Sequence, residues 1–291
     1  MAQARLSIVR IVWAMIFALA LIGCDEGGEI DSPDSIPVSP IARYHLTTDH
    51  LFSQHVEEDY SLLLYLPPGH DQAHDGFPVV YALDMAFQGQ QQAIDAALAT
   101  LAQEVIVVGL GNPDHRDRDY TPDQGPTTPE GHGGAANFYN FLVFELIPYI
   151  DSNYHTDAVN RTLIGHSYGG LFTLFALLSE DVEQRHFNAF IASSPTIGFA
   201  APLLAEMGAA MFERSRDLPV TLHLSSGQEG PLTHECQALA ARMVSRGYNH
   251  LLLMMSEFPV SHMGNIEPSY RQGLQLVYGV KPTTNPPFPR S

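Results

Sequence analysis

The feature that most constrains this chain is a cluster of glycines around one serine, Gly165-His166-Ser167-Tyr168-Gly169, which reads G-x-S-x-G. A short apolar run precedes it at 161–164 and a longer one follows at 171–178, and these runs predict a buried strand and a helix. A serine on so sharp a strand-to-helix turn is exposed at the edge of the sheet, and glycines are needed on either side of it. The helix N-terminus favours negative charge beside the serine. The sequence therefore predicts a nucleophile elbow with Ser167 at its tip.

The rest of the chain repeats the same alternation of strands and helices. Apolar, strand-like runs occur at 60–67, 77–84, 104–111, 162–166, 189–195, 220–227 and 250–258, and helical patterns occupy about 88–103, 135–154, 168–180, 200–214, 232–247 and 265–279. Strands that are apolar throughout and separated by helices predict an α/β fold whose mostly parallel sheet has helices on both faces. Two strands without a helix between them at 45–67 predict an antiparallel start. Ligands of such sheets bind at the carboxyl ends of the strands, where Ser167 lies.

The N-terminal segment differs from this folded middle. Residues 1–23 carry Arg5 and Arg10 before an apolar run at 11–22, which is typical of a signal peptide and too short to span a bilayer comfortably. Cys24 follows a small residue directly after this run, as in a bacterial lipoprotein box. We therefore expect Cys24 to be acylated and to anchor the protein to a lipid bilayer, with an ordinary signal peptide or an anchor helix as the alternatives.

Two further segments are predicted to be unstructured. Residues 24–41 are rich in Asp, Glu, Ser, Gly and Pro and predict a flexible acidic tether. Residues 281–291 are Pro-rich and predict a disordered tail. This leaves 42–280 as one folded domain, which a lipid on Cys24 would hold outside the cytoplasm, in the bacterial cell envelope.

The charge and the cysteine content of the chain argue against several kinds of partner and against a disulfide. The formal net charge is −18, with 14 Lys and Arg against 32 Asp and Glu, and no basic stripe is present, which argues against nucleic acid or an anionic lipid surface as a partner. The chain has two cysteines. If Cys24 is acylated, only Cys236 remains, and no intrachain disulfide can form. The histidines lack a tight ligand spacing, so no metal site is predicted.

Four segments in order carry a resemblance to a known family: "FPVVYALD" (77–84), "RDRDYTPDQG" (116–125), the stretch 138–178 around the serine, and "ASSP" (192–195). Together they resemble the putative-esterase family of α/β-hydrolases, which includes siderophore trilactone esterases, S-formylglutathione hydrolase, feruloyl and acetylxylan esterases, and mycolyltransferases. The resemblance covers about residues 42 to 280. It implies an α/β-hydrolase fold and a serine esterase that acts on a small-molecule ester without a cofactor.

A serine hydroxyl needs a base, and the base needs an orienting acid. In this fold the three follow the chain order Ser, Asp or Glu, His. His262 is the best base because it lies in a polar loop between the predicted strand 250–258 and the last helix. Ser226-Gly227-Gln228-Glu229 resembles the family's G-x-x-E-like turn, so Glu229 is the expected acid, with Glu235 as the alternative. His166 adjoins the nucleophile, but its side chain is expected to point away from the site.

The resemblance also implies an oxyanion hole made of backbone amides. We expect the amides of Tyr168 and Met85 to form it. One difference from the family concerns the second donor: where the family commonly has Leu-Asp-Gly after its third strand, this chain has Leu83-Asp84-Met85.

The segment 111–134 is long and rich in Gly, Pro and charge, which is typical of a functional or disordered loop. Arg116 and Arg118 are the basic residues in it. They are expected either to receive an acidic group of the substrate or to pair with the neighbouring aspartates 114, 117 and 119.

The sequence thus predicts a lipid-anchored serine esterase with Ser167 as nucleophile, His262 as base and Glu229 as acid. Siderophore lactones, aryl esters of plant polysaccharides and small acyl esters all remain open as substrates. Two alternatives remain: acyl transfer to an alcohol, as in mycolyltransferases, and a non-catalytic binding lipoprotein on the same fold.

Overall fold

The structure of the protein is a computed structural model that describes residues 40–72, 76–87, 89–111, 113–181 and 183–280. The predicted signal peptide, Cys24, nearly all of the predicted tether and the predicted tail lie outside these ranges, so the lipid anchor stays a prediction. The first described element is the 3₁₀-helix Pro40–Arg43. Ile41 packs against the core, so the packing includes a residue of the stretch predicted as tether.

The described residues form one eight-stranded sheet. Its strands are β1 His45–Ser53, β2 Glu58–Leu66, β3 Phe77–Ala82, β4 Ile106–Gly111, β5 Thr156–His166, β6 Ala189–Ser193, β7 Thr221–Ser226 and β8 Leu252–Glu257. Their spatial order is β1-β2-β4-β3-β5-β6-β7-β8. β1–β2 and β2–β4 pair antiparallel, and every other neighbouring pair is parallel. The predicted mostly parallel sheet with an antiparallel start is confirmed.

Helices connect the parallel strands. They are α1 Gln90–Leu98, α2 Arg116–Tyr120, α3 Ala135–Phe141, α4 Ile147–Asn153, α5 Tyr168–Ser179, α6 Ala201–Arg214, α7 Pro231–Arg246 and α8 Ile266–Tyr278. A π-helical stretch, Leu142–Leu146, joins α3 to α4, so one helical segment covers the region predicted as 135–154. α5 begins one residue after Ser167 and is buried from Gly169 to Leu178. Its N-terminus is therefore held firmly against the sheet.

The core divides between the two faces of the sheet, because successive residues of a strand point to opposite sides. In β3, Val79 and Tyr81 belong to the larger buried cluster, whereas Val80 and Ala82 belong to the smaller one. Helices α3 to α7 complete the larger cluster, and α1 and α8 complete the smaller one. Helices thus cover both faces, which confirms the predicted α/β-hydrolase architecture.

Two segments differ from the sequence prediction. The predicted loop 111–134 contains the short helix α2, which buries Tyr120 in the larger cluster. β5 begins at Thr156 rather than at 162. Its first half is only partly buried, and a search for continuously apolar runs misses such a strand. None of the helices within the described ranges combines the length and the hydropathy that crossing a membrane requires.

Candidate active site

Ser167 lies at the tip of the turn between β5 and α5, in the geometry of a nucleophile elbow. Its φ of 59° and ψ of −117° fall in a region that non-glycine residues rarely occupy. A Cβ atom added at Gly165 would lie 2.4 Å from the carbonyl carbon and oxygen of Gly169, so glycine is required there. At Gly169, the added atom would lie 3.2 Å from the carboxylate of Asp84. The turn therefore requires glycine at 165, whereas a side chain at 169 would need the Asp84 carboxylate to move.

Three strained residues gather at the carboxyl ends of neighbouring strands. Besides Ser167, Asp84 after β3 has a φ of 59° and Ser194 after β6 has a φ of 40°. Glu57 and His250 are the other non-glycine residues with positive φ within the described ranges. Such strain costs about 1–3 kcal/mol per residue and concentrates at functional sites. The carboxyl edge of β3, β5 and β6 is therefore the candidate site.

The structure brings His262 and Glu229 together at this edge. Glu229 follows β7, and His262 lies in the loop between β8 and α8. Nδ1 of His262 is hydrogen-bonded to Oε2 of Glu229. The alternative acid, Glu235, instead accepts a hydrogen bond of 2.9 Å from the backbone amide of Gly198. Glu229 is thus the carboxylate that lies against the imidazole, which leaves Nε2 of His262 for proton transfer.

Three donors surround the carboxylate of Glu229, whose side chain is 9% exposed. Oε1 accepts hydrogen bonds of 2.5 Å from the hydroxyl of Ser194 and 2.7 Å from the amide of Gly227, while Oε2 faces His262. Burial alone would raise the pKa of Glu229, but these hydrogen bonds outweigh it and lower the pKa. The carboxylate is therefore ionised at neutral pH, as an orienting acid has to be.

A second histidine, His166, packs against the candidate base. The ring centroids of His166 and His262 lie 4.5 Å apart. His166 is 2% exposed, and its Nδ1 lies 3.2 Å from the hydroxyl of Ser193. Burial, with smaller contributions from His262 and Arg116, lowers the pKa of His166 to about 3. The expectation that its side chain points away from the site was wrong: a neutral ring supports one face of His262.

The hydroxyl of Ser167 lies 3.3 Å from that of Thr196. In the part of the chain that the structure describes, no hydrogen bond joins Ser167 to His262. Catalytic hydrogen bonds are often long in ligand-free structures and tighten when substrate binds. We therefore expect the Ser167 hydroxyl to form its hydrogen bond with His262 when substrate binds.

The two predicted oxyanion donors differ in availability. Tyr168 is the first residue of α5, where backbone amides have no acceptor within the helix. The amide of Met85 instead donates to the carbonyl of Leu110 at 2.8 Å, so the prediction that Met85 supplies the second donor does not fit this structure. Ala86 is exposed, and its amide makes no backbone hydrogen bond within the described ranges. Ala86, the next residue, is therefore the candidate for the second donor.

Arg116 is held by a carboxylate and by aromatic rings. Its guanidinium forms two hydrogen bonds with Asp84, of 3.1 and 3.0 Å, and the exposed fractions of the two side chains are 17% and 1%. The guanidinium carbon also lies 5.4 to 5.8 Å from the ring centroids of Phe87, Tyr120 and Tyr168, within cation–π range. Burial raises the pKa of Asp84 and outweighs the lowering effect of Arg116.

Arg118 is paired as well. Its Nε lies 2.8 Å from Asp119, and its terminal nitrogen lies 3.4 Å from Glu58. Asp119 also accepts a hydrogen bond of 2.6 Å from the hydroxyl of Tyr60. Of the two readings of the loop arginines, the structure favours pairing, although with Asp84 and Glu58 in addition to the aspartates named from the sequence. Substrate contact by Arg116 or Arg118 stays a prediction.

Three aromatic rings line this edge. No role for any of these rings was predicted from the sequence. The ring of Tyr168 lies 5.5 Å from Phe199 and 6.1 Å from His132, and His132 stacks on Phe199 at 5.3 Å. All three are partly exposed. Because these rings come from α5, the segment after β6 and the loop 111–134, a sequence pattern could not bring them together. Within the described ranges, no three His, Cys, Asp or Glu side chains cluster as metal ligands.

Comparison with known proteins shows the family of the chain. Residues 53–231 match the family described as "Putative esterase". The chain is 28% identical over 181 residues to the ferri-bacillibactin esterase BesA of Bacillus subtilis, covering 53% of this chain and 60% of that protein. It is 30% identical over 185 residues to a siderophore triacetylfusarinine C esterase of Aspergillus fumigatus, covering 57% and 59%. The chain thus spans less than two thirds of the length of these relatives.

Solved structures share the fold. An IroE-like serine hydrolase from Shewanella oneidensis superposes with a TM-score of 0.68 at 23% identity, covering 80% of each chain. The siderophore hydrolase EstA from Aspergillus nidulans superposes with a TM-score of 0.68 at 20% identity, covering 83% of this chain and 97% of that one. At these identities the likeness concerns the fold.

Proposed function

Because this chain belongs to the "Putative esterase" family and has an α/β-hydrolase fold, we propose that it is a serine esterase with Ser167, His262 and Glu229 as its triad. The observation that carries the proposal is the hydrogen bond between His262 and Glu229 at the edge where Ser167 occupies the elbow. Each of the three side chains follows a different strand of the sheet. Their convergence is what nucleophilic catalysis by serine needs.

In the first half-reaction, Oγ of Ser167 attacks the ester carbonyl while its proton passes to Nε2 of His262. A new C–O bond forms, and the carbonyl oxygen becomes an oxyanion. The amides of Tyr168 and Ala86 are the donors we assign to it, where the loss of one donor typically costs about 10²–10³ in rate. Glu229 stabilises the imidazolium that forms meanwhile.

Collapse of the oxyanion breaks the bond to the alcohol, and His262 returns its proton to the departing oxygen. This leaves an acyl group on Ser167. Water then attacks the acyl-enzyme with His262 again as base, and breakdown of the second oxyanion releases the acid and regenerates the serine. Neutral His166 does not exchange protons with His262 at physiological pH, because its pKa is about 3.

The aromatic side chains beside Ser167 support an ester that carries an aromatic ring. Tyr168, His132 and Phe199 present partly exposed rings on one side of the serine, and Phe87 is 40% exposed near Arg116. Offset stacking between aromatic groups contributes about 0.5–1.5 kcal/mol per pair. Two relatives are named as siderophore esterases. With the exposed rings as the argument for an aryl group, we propose an aryl-bearing siderophore ester as the substrate class.

The proposal is tested first at the nucleophile. A fluorophosphonate probe should label the full chain once, and Ser167→Ala should abolish both labelling and p-nitrophenyl acetate hydrolysis, because Ser167 is the residue at the tip of the elbow. Ser245→Ala on the exposed side of α7 is the matched control, and it should keep wild-type rates. Labelling that survives Ser167→Ala would refute the mechanism, and an unreactive wild-type protein would favour a binding role.

A further inference from the structure

A buried polar network lies behind Glu229. Nδ2 of Asn265 lies 2.9 Å from the hydroxyl of Ser194, 3.1 Å from that of Ser193 and 3.1 Å from that of Ser225. All four side chains are fully buried. They come from the ends of β6 and β7 and from the 3₁₀-turn that follows His262. The network therefore links the strand ends that carry the acid to the loop that carries the base.

The direction of these hydrogen bonds is determined by their neighbours. Glu229 is ionised and can only accept, so the single hydroxyl proton of Ser194 points to it at 2.5 Å. The proton of Ser225 is likewise donated, to Ser269 at 2.6 Å. Both hydroxyls must therefore accept from Asn265, which requires its amide nitrogen to face them. Asn265 thereby fixes the orientation of the Ser194 proton towards the acid.

Two features show that this arrangement is maintained at a cost. Ser194 holds a φ of 40°, which glycine would adopt without strain, yet the chain keeps a hydroxyl there. Oδ1 of Asn265 is buried without a hydrogen-bond partner among the described residues, and an unsatisfied buried acceptor is unfavourable. Neither the strained backbone of Ser194 nor the unpaired Oδ1 of Asn265 would stabilise a network that served packing alone.

We propose that Ser194 and Asn265 are positioning residues for catalysis, which hold the Glu229 carboxylate in the plane where Oε2 meets Nδ1 of His262. Asn265 directs the hydroxyl of Ser194, Ser194 binds Oε1, and with the amide of Gly227 this restrains both rotation and translation of the carboxylate. The inference rests on the proposed function and extends the triad by two residues that do not touch the substrate.

The decisive measurement is a double-mutant cycle on kcat. A hydrogen bond to a charged group is worth about 10- to 100-fold in an equilibrium or rate constant, so Ser194→Ala should lower kcat by about that factor and leave KM nearly unchanged. In the Glu229→Gln background, Ser194→Ala should lower kcat by less than about twofold, because the two residues act as a unit. Multiplicative losses would overturn the proposal.

Ser256→Ala is the matched control. Ser256 is a buried serine of β8 whose hydroxyl lies 3.1 Å from Nε2 of His223, and it is not part of the network around Asn265. Both variants should lose stability in urea unfolding, whereas Ser256→Ala should keep kcat within about twofold. A kcat loss that merely follows stability in both variants would show a structural role and overturn the proposal.

A spectroscopic readout separates positioning from folding. The downfield proton resonance of Nδ1–H in His262 reports its hydrogen bond to Glu229. Ser194→Ala and Asn265→Leu should shift or broaden it, while Ser256→Ala leaves it unchanged. An unchanged resonance in all three would overturn the proposal. The outcome is distinct from failure of the proposed function, in which wild type itself lacks Ser167-dependent hydrolysis.

Discussion

Two buried carboxylates lie on either side of the strand that carries Ser167, and they behave differently. On one side, Glu229, Ser194, Asn265 and His262 form what we name the acid side. On the other, Asp84 pairs with Arg116 next to the turn that carries Ala86, the proposed oxyanion donor. We name this the arginine side. The pKa of Glu229 is lowered, whereas that of Asp84 is raised.

The difference lies in donors and burial. Asp84 is 1% exposed, and the loss of hydration outweighs even two hydrogen bonds from a guanidinium. Glu229 has more contact with solvent and three donors on its two oxygens. The partners differ as well: Arg116 is always charged, whereas His262, as the proposed base, would change its charge during the reaction. The arginine side therefore has a partner of fixed charge, and the acid side has the partner to which we assign proton transfer.

The largest expected effect tests the acid side. Glu229→Gln keeps the shape of the side chain but can stabilise the wrong tautomer of His262, so kcat should fall by about 10³–10⁴. Glu235→Gln should change kcat little, because the Glu235 carboxylate binds the amide of Gly198 rather than His262. Steady-state kinetics and fluorophosphonate labelling rates measure both variants.

Two outcomes would contradict this assignment. If Glu235→Gln causes the large loss, the acid is misassigned. If neither variant slows the enzyme, catalysis proceeds with Ser167 and His262 alone, and the acid side is only structural.

The sequence predicted the acid side better than the arginine side. Ser167 and His262 follow predicted strands, and Glu229 lies in a turn that resembles the family's, so all three are expected at the carboxyl ends of strands. The partner of Arg116 could not be predicted, because Asp84 lies in a different segment and neither residue has a distinctive spacing. Met85 failed as a donor for a similar reason: which amide is free depends on its pairing with Leu110 across the sheet. Asn265 was missed because only packing brings three serines to it.

The next effect tests the arginine side. Arg116→Met leaves Asp84 buried without a counter-charge, which should lower the free energy of unfolding by about 3–5 kcal/mol in urea titrations. Adding Asp84→Asn should restore part of that loss. Arg118→Met is the milder comparison, because Arg118 is more exposed and Asp119 keeps its bond to Tyr60.

Kinetics on the same variants address substrate contact. Because Arg116 is already paired with Asp84, we expect KM changes of similar size for anionic and neutral esters. An increase in KM confined to anionic esters would show instead that Arg116 receives an acidic group of the substrate.

The smallest effect is the contribution of His166, which lies between the two sides, to the pH dependence of stability. A second buried histidine, His223, is the comparison. Burial lowers the pKa of His166 to about 3 and that of His223 to about 4, whereas both should titrate near 6.5 in the unfolded chain. Below pH 6.5 the unfolded state therefore binds more protons. Stability should fall with decreasing pH down to the folded pKa, by up to about 1.4 kcal/mol per pH unit for each histidine.

The wild-type slope also contains contributions of opposite sign, from buried carboxyls with a raised pKa such as Asp84 and Glu180. Burial raises the pKa of Glu180 from 4.5 to about 7, so between these values the folded state binds the extra proton and stability increases as the pH falls. Because these carboxyls are common to all variants, the difference in slope between wild type and His223→Gln or His166→Gln isolates each histidine. Urea unfolding at about pH 7, 6 and 5 should show each variant losing less stability on acidification than wild type. If His166→Gln keeps the wild-type slope while His223→Gln does not, then His166 is charged beside His262, and the two sides of the site are not separated by a neutral ring.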